Sequence, residues 1–190
     1  LKRTGTQYGL IQSLLSLAEV LPCRGYFDEA MHDLEKAGAL ARENGIPAME
    51  LLAGLQRGWV LLQLGDYGEA ARAFADLETP LEKAGYRVHR VSCALGLVNA
   101  DIALGDLDSA GRRLDGLPSR LPRQHIISDL LYRISRGRFC AAKGDLPSAC
   151  RAFICAGSLA RRLGYRPYDF EAHLALAQCA HIVDHVPARL

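Results

Sequence analysis

The chain has 190 residues, 49% of them hydrophobic and only 7% aromatic, and a formal net charge of +2. Such a length suits one domain or one run of repeats, and so small a charge does not by itself mark a nucleic-acid or membrane surface, which needs basic residues clustered on one face. The densest cluster, Arg133, Arg136 and Arg138, is modest. No apolar stretch approaches a membrane span, and the opening "LKRTGTQYGL" lacks a signal peptide's apolar core and cleavage site. These features point to the cytoplasm and to no direct contact with nucleic acid or membrane.

Alanine, leucine and glycine dominate the composition, which suits closely packed helices better than sheets rich in β-branched residues. Gly25, Gly65, Gly105 and Gly144 recur at intervals of 40, 40 and 39 residues, and each is followed five residues later by alanine: Ala30, Ala70, Ala110 and Ala149. A second set, Gly45, Gly85 and Gly164, keeps the same beat. Glycine is favoured where a helix closes in a left-handed residue, so the two sets mark two helix ends per repeat.

In chain order this predicts a first helix at about 5–24 and a second at about 27–44, then pairs at 47–64 and 67–84, 87–104 and 107–117, and 124–143 and 146–163, with a last helix at 167–183. The repeats run about 5–45, 46–85, 86–123 and 124–164 within one domain spanning 1–190. Asp28, Asp66, Asp108 and Asp145 lie where a carboxylate can cap a second helix or meet its dipole, and Pro47 and Pro167 suit a first helical turn. Thr79-Pro80 should kink or interrupt the second helix of repeat two. The prolines of "LDGLPSRLPRQH" predict a loop near 116–123 and a change of curvature there. The repeats begin almost at once and residue 1 is Leu, so the chain reads as a piece of a longer, multidomain protein.

These residues resemble the tetratricopeptide repeat (TPR), in which a first helix carries a small residue and a second helix opens on an aromatic and an alanine and continues with a large residue. Here the small residue is Ala18, Gly58 or Gly137, with Val98 departing from the pattern. The opening residue is Phe27, Tyr67, Leu107 or Leu146, and the large one is Leu34, Phe74, Leu114 or Phe153. The resemblance implies an all-α, right-handed superhelical TPR-like α-solenoid of four helical hairpins and a final helix. The period of about 40 exceeds the usual 34. Together with openings such as "GDYGEA" and endings such as "LARRLG", it is similar to the C-terminal helical arrays of MalT-like, LuxR-type bacterial transcription regulators, which belong to the STAND signal-transduction ATPases. That likeness implies a sensor module that receives an inducer or a regulatory protein and acts on other domains of the same chain. A TPR scaffold that docks a protein or peptide and answers no small molecule is the alternative.

No catalytic constellation stands out. There is no G-x-x-x-x-G-K-[ST] phosphate loop, no G-x-S-x-G elbow and no DNA-reading helix, so neither an enzyme nor a cofactor is expected. His181 and His185 stand one turn apart, but "HIVDH" lacks the glutamate of H-E-x-x-H and a third ligand, so no metal is expected. The six cysteines form no C-x-x-C pair and read as free, buried thiols.

The remaining surface is the concave face that solenoids share. By resemblance, the residues after the small one, Glu19, Trp59, Asn99 and Arg138, face it, and Leu55, Leu62, Leu95, Ile102 and Ile134 fall on or near the same stripes. A peptide, a regulatory protein or a small-molecule inducer would bind there, with Asn99 and Arg138 as polar points. Burial between neighbouring helices is the leading alternative for the same apolar stripe, because a first helix in a solenoid is flanked on both sides.

Overall fold

The computed structural model describes residues 2–117 and 125–185. The described chain is all-α: α1 (Lys2–Val20) runs into a 3-10 turn (Leu21–Arg24), and α2 (Phe27–Glu43), α3 (Pro47–Leu64), α4 (Tyr67–Lys83), α5 (Arg87–Leu104), α6 (Leu107–Gly116), α7 (Ile126–Ala142), α8 (Leu146–Leu163) and α9 (Arg166–His185) follow. No strand occurs among the described residues. Most of the expected loop near 116–123 lies outside them.

The seven glycines read as helix ends are the seven residues with positive φ, between 64° and 86°. At Gly65 the reason is explicit. Its N–H donates to the Leu62 carbonyl and the next N–H, that of Asp66, donates back to Leu61, which satisfies carbonyls that the helix leaves open. The turn needs a left-handed residue, which an L side chain disfavours. The same double bond pattern closes α2, α5 and α8, and its repetition is what gives the sequence its period.

The starts of the second helices differ from expectation in detail. Asp66 and Asp145 accept from the N–H groups of Glu69 and Ser148, but α6 is capped by Asp106, which accepts from Ser109 at 3.0 Å; Asp108 lies inside its first turn. Asp28 also lies inside a first turn, and α2 has no side-chain cap. Both still meet the positive end of a helix dipole. Pro47 opens α3 as expected, and Pro167 is the second residue of α9. Pro80 does not interrupt α4, which continues to Lys83. Asp76, whose carbonyl loses its helical donor, is exposed, so water can replace the missing bond.

The helices gather into two compact units, Leu1–Ala100 and Asp101–Leu190. In the first, α2 packs on both α1 and α3, and α3 packs on α4. One cluster joins Ile11, Leu15 and Ala18 to Ala30 and Leu34, and a second joins Leu55 and Leu61 to Phe74, Cys93 and Leu97. Phe74 is fully buried because glycines make room for its ring on two sides. A Cβ on Gly58 would lie 2.6 Å from it and one on Gly96 2.4 Å.

In the second unit α8 packs on both α7 and α9, and α7 also touches α9. Phe153 repeats the arrangement of Phe74: a Cβ on Gly137 would fall 2.5 Å from its ring. The small-and-large pairing read from the sequence is thus a steric fit between Gly58 and Phe74 and between Gly137 and Phe153. Asp101 and Arg113 form an ion pair at 3.0 Å. Burial nevertheless outweighs the pull of Arg113 and raises the Asp101 carboxyl above its ordinary value.

Candidate functional site

The absence of a Cβ at Gly137 lets the Phe153 ring lie close against α7. That ring and Cys179 form the inner wall of a cleft of ≈ 280 Å³ between α7 and α9. Ala141, Leu174 and Ala175 add apolar surface, and Arg138, Glu171 and Gln178 supply the polar groups. Arg138 donates to Glu171 Oε1 at 2.5 Å across the opening. Their side chains are 42% and 32% exposed, so solvent screens the pair and its net worth is about 0.2–1 kcal/mol. Leu174 is 49% exposed and Phe170, one turn earlier, 71%. The cleft can therefore take an apolar side chain between a guanidinium and an amide, groups suited to carbonyl and carboxylate oxygens.

In the first unit the corresponding position is more enclosed. Trp59 is half-buried, with its indole N–H donating to Ser92 Oγ at 3.2 Å and its ring meeting Phe74 edge-on at 5.6 Å and 72°. Such an aromatic pair adds about 0.5–1.5 kcal/mol beyond its burial. Trp59 is therefore partly a core residue and partly a surface one.

The other residues singled out from the sequence divide by burial. Leu55, Leu95 and Ile134 are 4%, 0% and 2% exposed and belong to the core. Asn99 is buried as well, and its amide donates to the Leu95 carbonyl one turn back at 2.9 Å. Leu62 and Ile102 are half-buried, whereas Arg138 and Glu19 are exposed. The apolar stripe is buried wherever neighbouring helices cover it and open only at its edge. Sequence reasoning missed Glu171, Leu174 and Gln178 because the small-and-large pattern that nominates the concave face does not extend to α9. The available signal was an interval, since Arg138 to Glu171 spans the same 33 residues as Trp59 to Ser92.

The hydrogen bond between His125 Nδ1 and Ser128 Oγ at 2.9 Å belongs to a helix cap, since the same nitrogen accepts from the Ser128 N–H at the start of α7. Among the described residues no group of three or more His, Cys, Asp or Glu gathers as a metal would require. His181 is exposed, and the side chain of His185 lies outside the described part. All six cysteines are free, and two of them, Cys23 and Cys155, are exposed rather than buried as expected. Cys140 and Cys150 are half-buried, and Cys93 and Cys179 are buried. No described helix is long and apolar enough to cross a membrane.

The chain matches no family profile and no curated protein. Among solved structures it is similar to a variant of the nearly identical TPR-like repeats assigned to a kinesin light chain of Podosopora anserina. The TM-score is 0.60 at 18% identity, over 90% of this chain and 85% of that one. The likeness is one of fold, and it makes this chain an all-α, TPR-like repeat protein.

Proposed function

We propose that this chain is a protein-docking module whose cleft between α7 and α9 receives one bulky apolar side chain of a partner's peptide segment, with Arg138 and Gln178 bonding the segment's backbone. The observation that carries this is the cleft itself: an apolar inner wall of Phe153, Leu174 and Ala175 beside polar groups that reach solvent. Its ≈ 280 Å³ is just below the roughly 300–1,000 Å³ typical of drug-sized ligands, which favours a side chain over a whole inducer. In the first unit, the accessible parts of Trp59 and Leu62 are the matching contact points; Ile102 offers another in the second. Leu55, Leu95, Asn99 and Ile134 support these positions from beneath.

Selection of peptides from a displayed library on the immobilised chain, followed by fluorescence anisotropy, tests the proposal. Leu174→Glu and Arg138→Glu should each weaken the selected peptides at least about tenfold, or 1.4 kcal/mol. Ile154→Glu, on the exposed face of α8, should leave them unchanged. Equal affinity in all three variants would defeat the proposal.

We further infer that the module belongs to a bacterial transcription regulator of the MalT-like, LuxR type, in which an occupant shifts the balance between two arrangements of the neighbouring domains by its differential affinity for them. The "GDYGEA" and "LARRLG" segments and the long period support this reading. Sequencing the complete reading frame tests it: a phosphate loop upstream and a helix-turn-helix downstream are expected, and their absence leaves the plain scaffold.

A further inference from the structure

We propose that the open face of α9 docks an amphipathic helix of a partner chain, one built like this protein's own second helices and anchored by a leucine over Ala177. Register defines the face. Phe170, Leu174 and Ala177 follow Gly164 at the same steps at which Leu51, Leu55 and Gly58 follow Gly45, and Val91, Leu95 and Val98 follow Gly85. Measured back from Gly25 and Gly144, which close first helices, Ile11, Leu15 and Ala18 and then Leu130, Ile134 and Gly137 hold the same positions. Leu51 is half-buried and the other eleven counterparts are buried, whereas Phe170, Leu174 and Ala177 are all exposed.

In α1, α3 and α7 these positions pack against the second helix that follows. Ile11, Leu15 and Ala18 share a cluster with Ala30 and Leu34 of α2, Leu55 with Ala70 and Phe74 of α4, and Leu130 and Ile134 with Ala156 and Ala160 of α8. In α9 the side toward α8 is filled by the buried Ala172 and Cys179, with Leu176 beside them. Phe170, Leu174 and Ala177 fall two residues out of step with these three, about 200° round a helix of 3.6 residues per turn, so they point away from α8. Their exposure means that no described helix covers them.

The size of the anchor follows from the pairs already formed. Gly58 and Gly137 leave room for the rings of Phe74 and Phe153, from which an added Cβ would lie 2.6 and 2.5 Å away. Ala18 has that Cβ and shares its cluster with Leu34 instead. Ala177 is likewise an alanine, so a leucine fits over it where a phenylalanine would overpack. The covering helix therefore has the buried pattern of α2, with alanines at the places of Ala30 and Ala37 around a leucine at the place of Leu34, and an outer side like that of Asp28, Glu35 and Lys36. A second copy of this chain cannot supply such a helix, because Ala30, Leu34, Ala70, Phe74, Ala149 and Phe153 are all buried inside their own repeats. Phe170 and Ala177 do not line the cleft between α7 and α9, so the face is separate from it except at Leu174, which borders both.

The test uses the full chain and a labelled peptide copying residues 26–44, held helical by a hydrocarbon staple on its outer side. Fluorescence anisotropy gives the affinity and sedimentation the state of the free chain. The parent should bind the peptide. Phe170→Glu should weaken it at least about tenfold, while Ile154→Glu and the cleft variant Arg138→Glu should leave it unchanged. Leu34→Phe in the peptide should weaken binding to the parent at least about fivefold, and Ala177→Gly in the chain should reverse that preference. A parent that ignores the helical peptide, a Phe170→Glu chain that binds it as tightly as the parent, or a preference for phenylalanine over Ala177 would each overturn the proposal. So would a free chain that self-associates through Phe170, since a second copy would then be the occupant. Weakening by Arg138→Glu would place the peptide in the cleft and overturn docking on α9.

Discussion

Arg138 on α7 bonds Glu171 on α9 at 2.5 Å, a step of 33 residues that joins one first helix to the next. Trp59 on α3 and Ser92 on α5 make the same step. In both cases the donor is the residue directly after a glycine that a phenylalanine packs against. The steric fit therefore sets the height of the following residue along its helix, and a polar side chain there meets the first turns of the next first helix. The Arg138–Glu171 pair predicts a measurable but small coupling. Arg138→Glu and Glu171→Arg should each destabilise the chain by about 0.5 kcal/mol and the double exchange should recover most of that, as expected of partly exposed ions. Urea unfolding of the four proteins checks it.

The glycine fit predicts a larger effect. Gly58→Leu and Gly137→Ala should each cost about 1–3 kcal/mol, because the added carbon would lie within 3 Å of a buried ring that has no room to move. Phe153→Leu should return part of the loss in the Gly137→Ala background although it is itself destabilising. Chemical denaturation midpoints decide this, and a Gly137→Ala protein as stable as the parent would contradict the fit.

Gly58, Gly137, Phe74 and Phe153 were legible from the sequence because the pattern of one small and one large residue recurs in three of the four hairpins, with Val98 departing from it, and helix ends were legible because a left-handed closing residue is almost always glycine. Gly96 was not, although it meets Phe74 from the following repeat, because its role depends on how successive hairpins stack and not on any local signal. The surface was harder still. Leu55 and Trp59 lie one turn apart on α3, yet Leu55 is core and Trp59 half-buried. Periodicity places residues on a face but does not say how far the neighbouring helix covers it. The acidic side of the cleft went unread because Glu171 gains meaning only from Arg138.

Trp59 is the only tryptophan, so emission reports its site directly. Its half-burial predicts a spectrum between those of buried and exposed indole, with partial quenching by acrylamide. Trp59→Ala should cost about 3 kcal/mol, since it removes an edge contact and opens a void over Phe74. Trp59→Phe should cost about 1 kcal/mol, because Ser92 can bond water once the indole N–H is gone.

The helix caps predict an acid-dependent loss of stability. The Ser109 backbone N–H holds the Asp106 carboxyl below its ordinary value near 3.8, and the bonds from Ser148 do the same for Asp145. A folded-state pKa below the unfolded one means that the cap's contribution is complete above the ordinary carboxylate range. It disappears as pH falls through the lowered value. Asp106→Ala and Asp145→Ala should therefore lower the melting temperature at pH 7 and approach the parent as the pH drops below the usual range. The corresponding Asn variants should keep much of the cap without that pH dependence. Melting curves from pH 7 to pH 2 check the sign.

The docking proposal meets its most direct test in amide hydrogen exchange of the whole chain with and without a peptide selected on it. If the cleft receives the peptide, exchange slows on α7 around Arg138 and on α9 around Leu174 and Gln178, while the exposed face of α8 around Ile154 is unchanged. Protection on α8 or α2 with no change on α7 and α9 would contradict it.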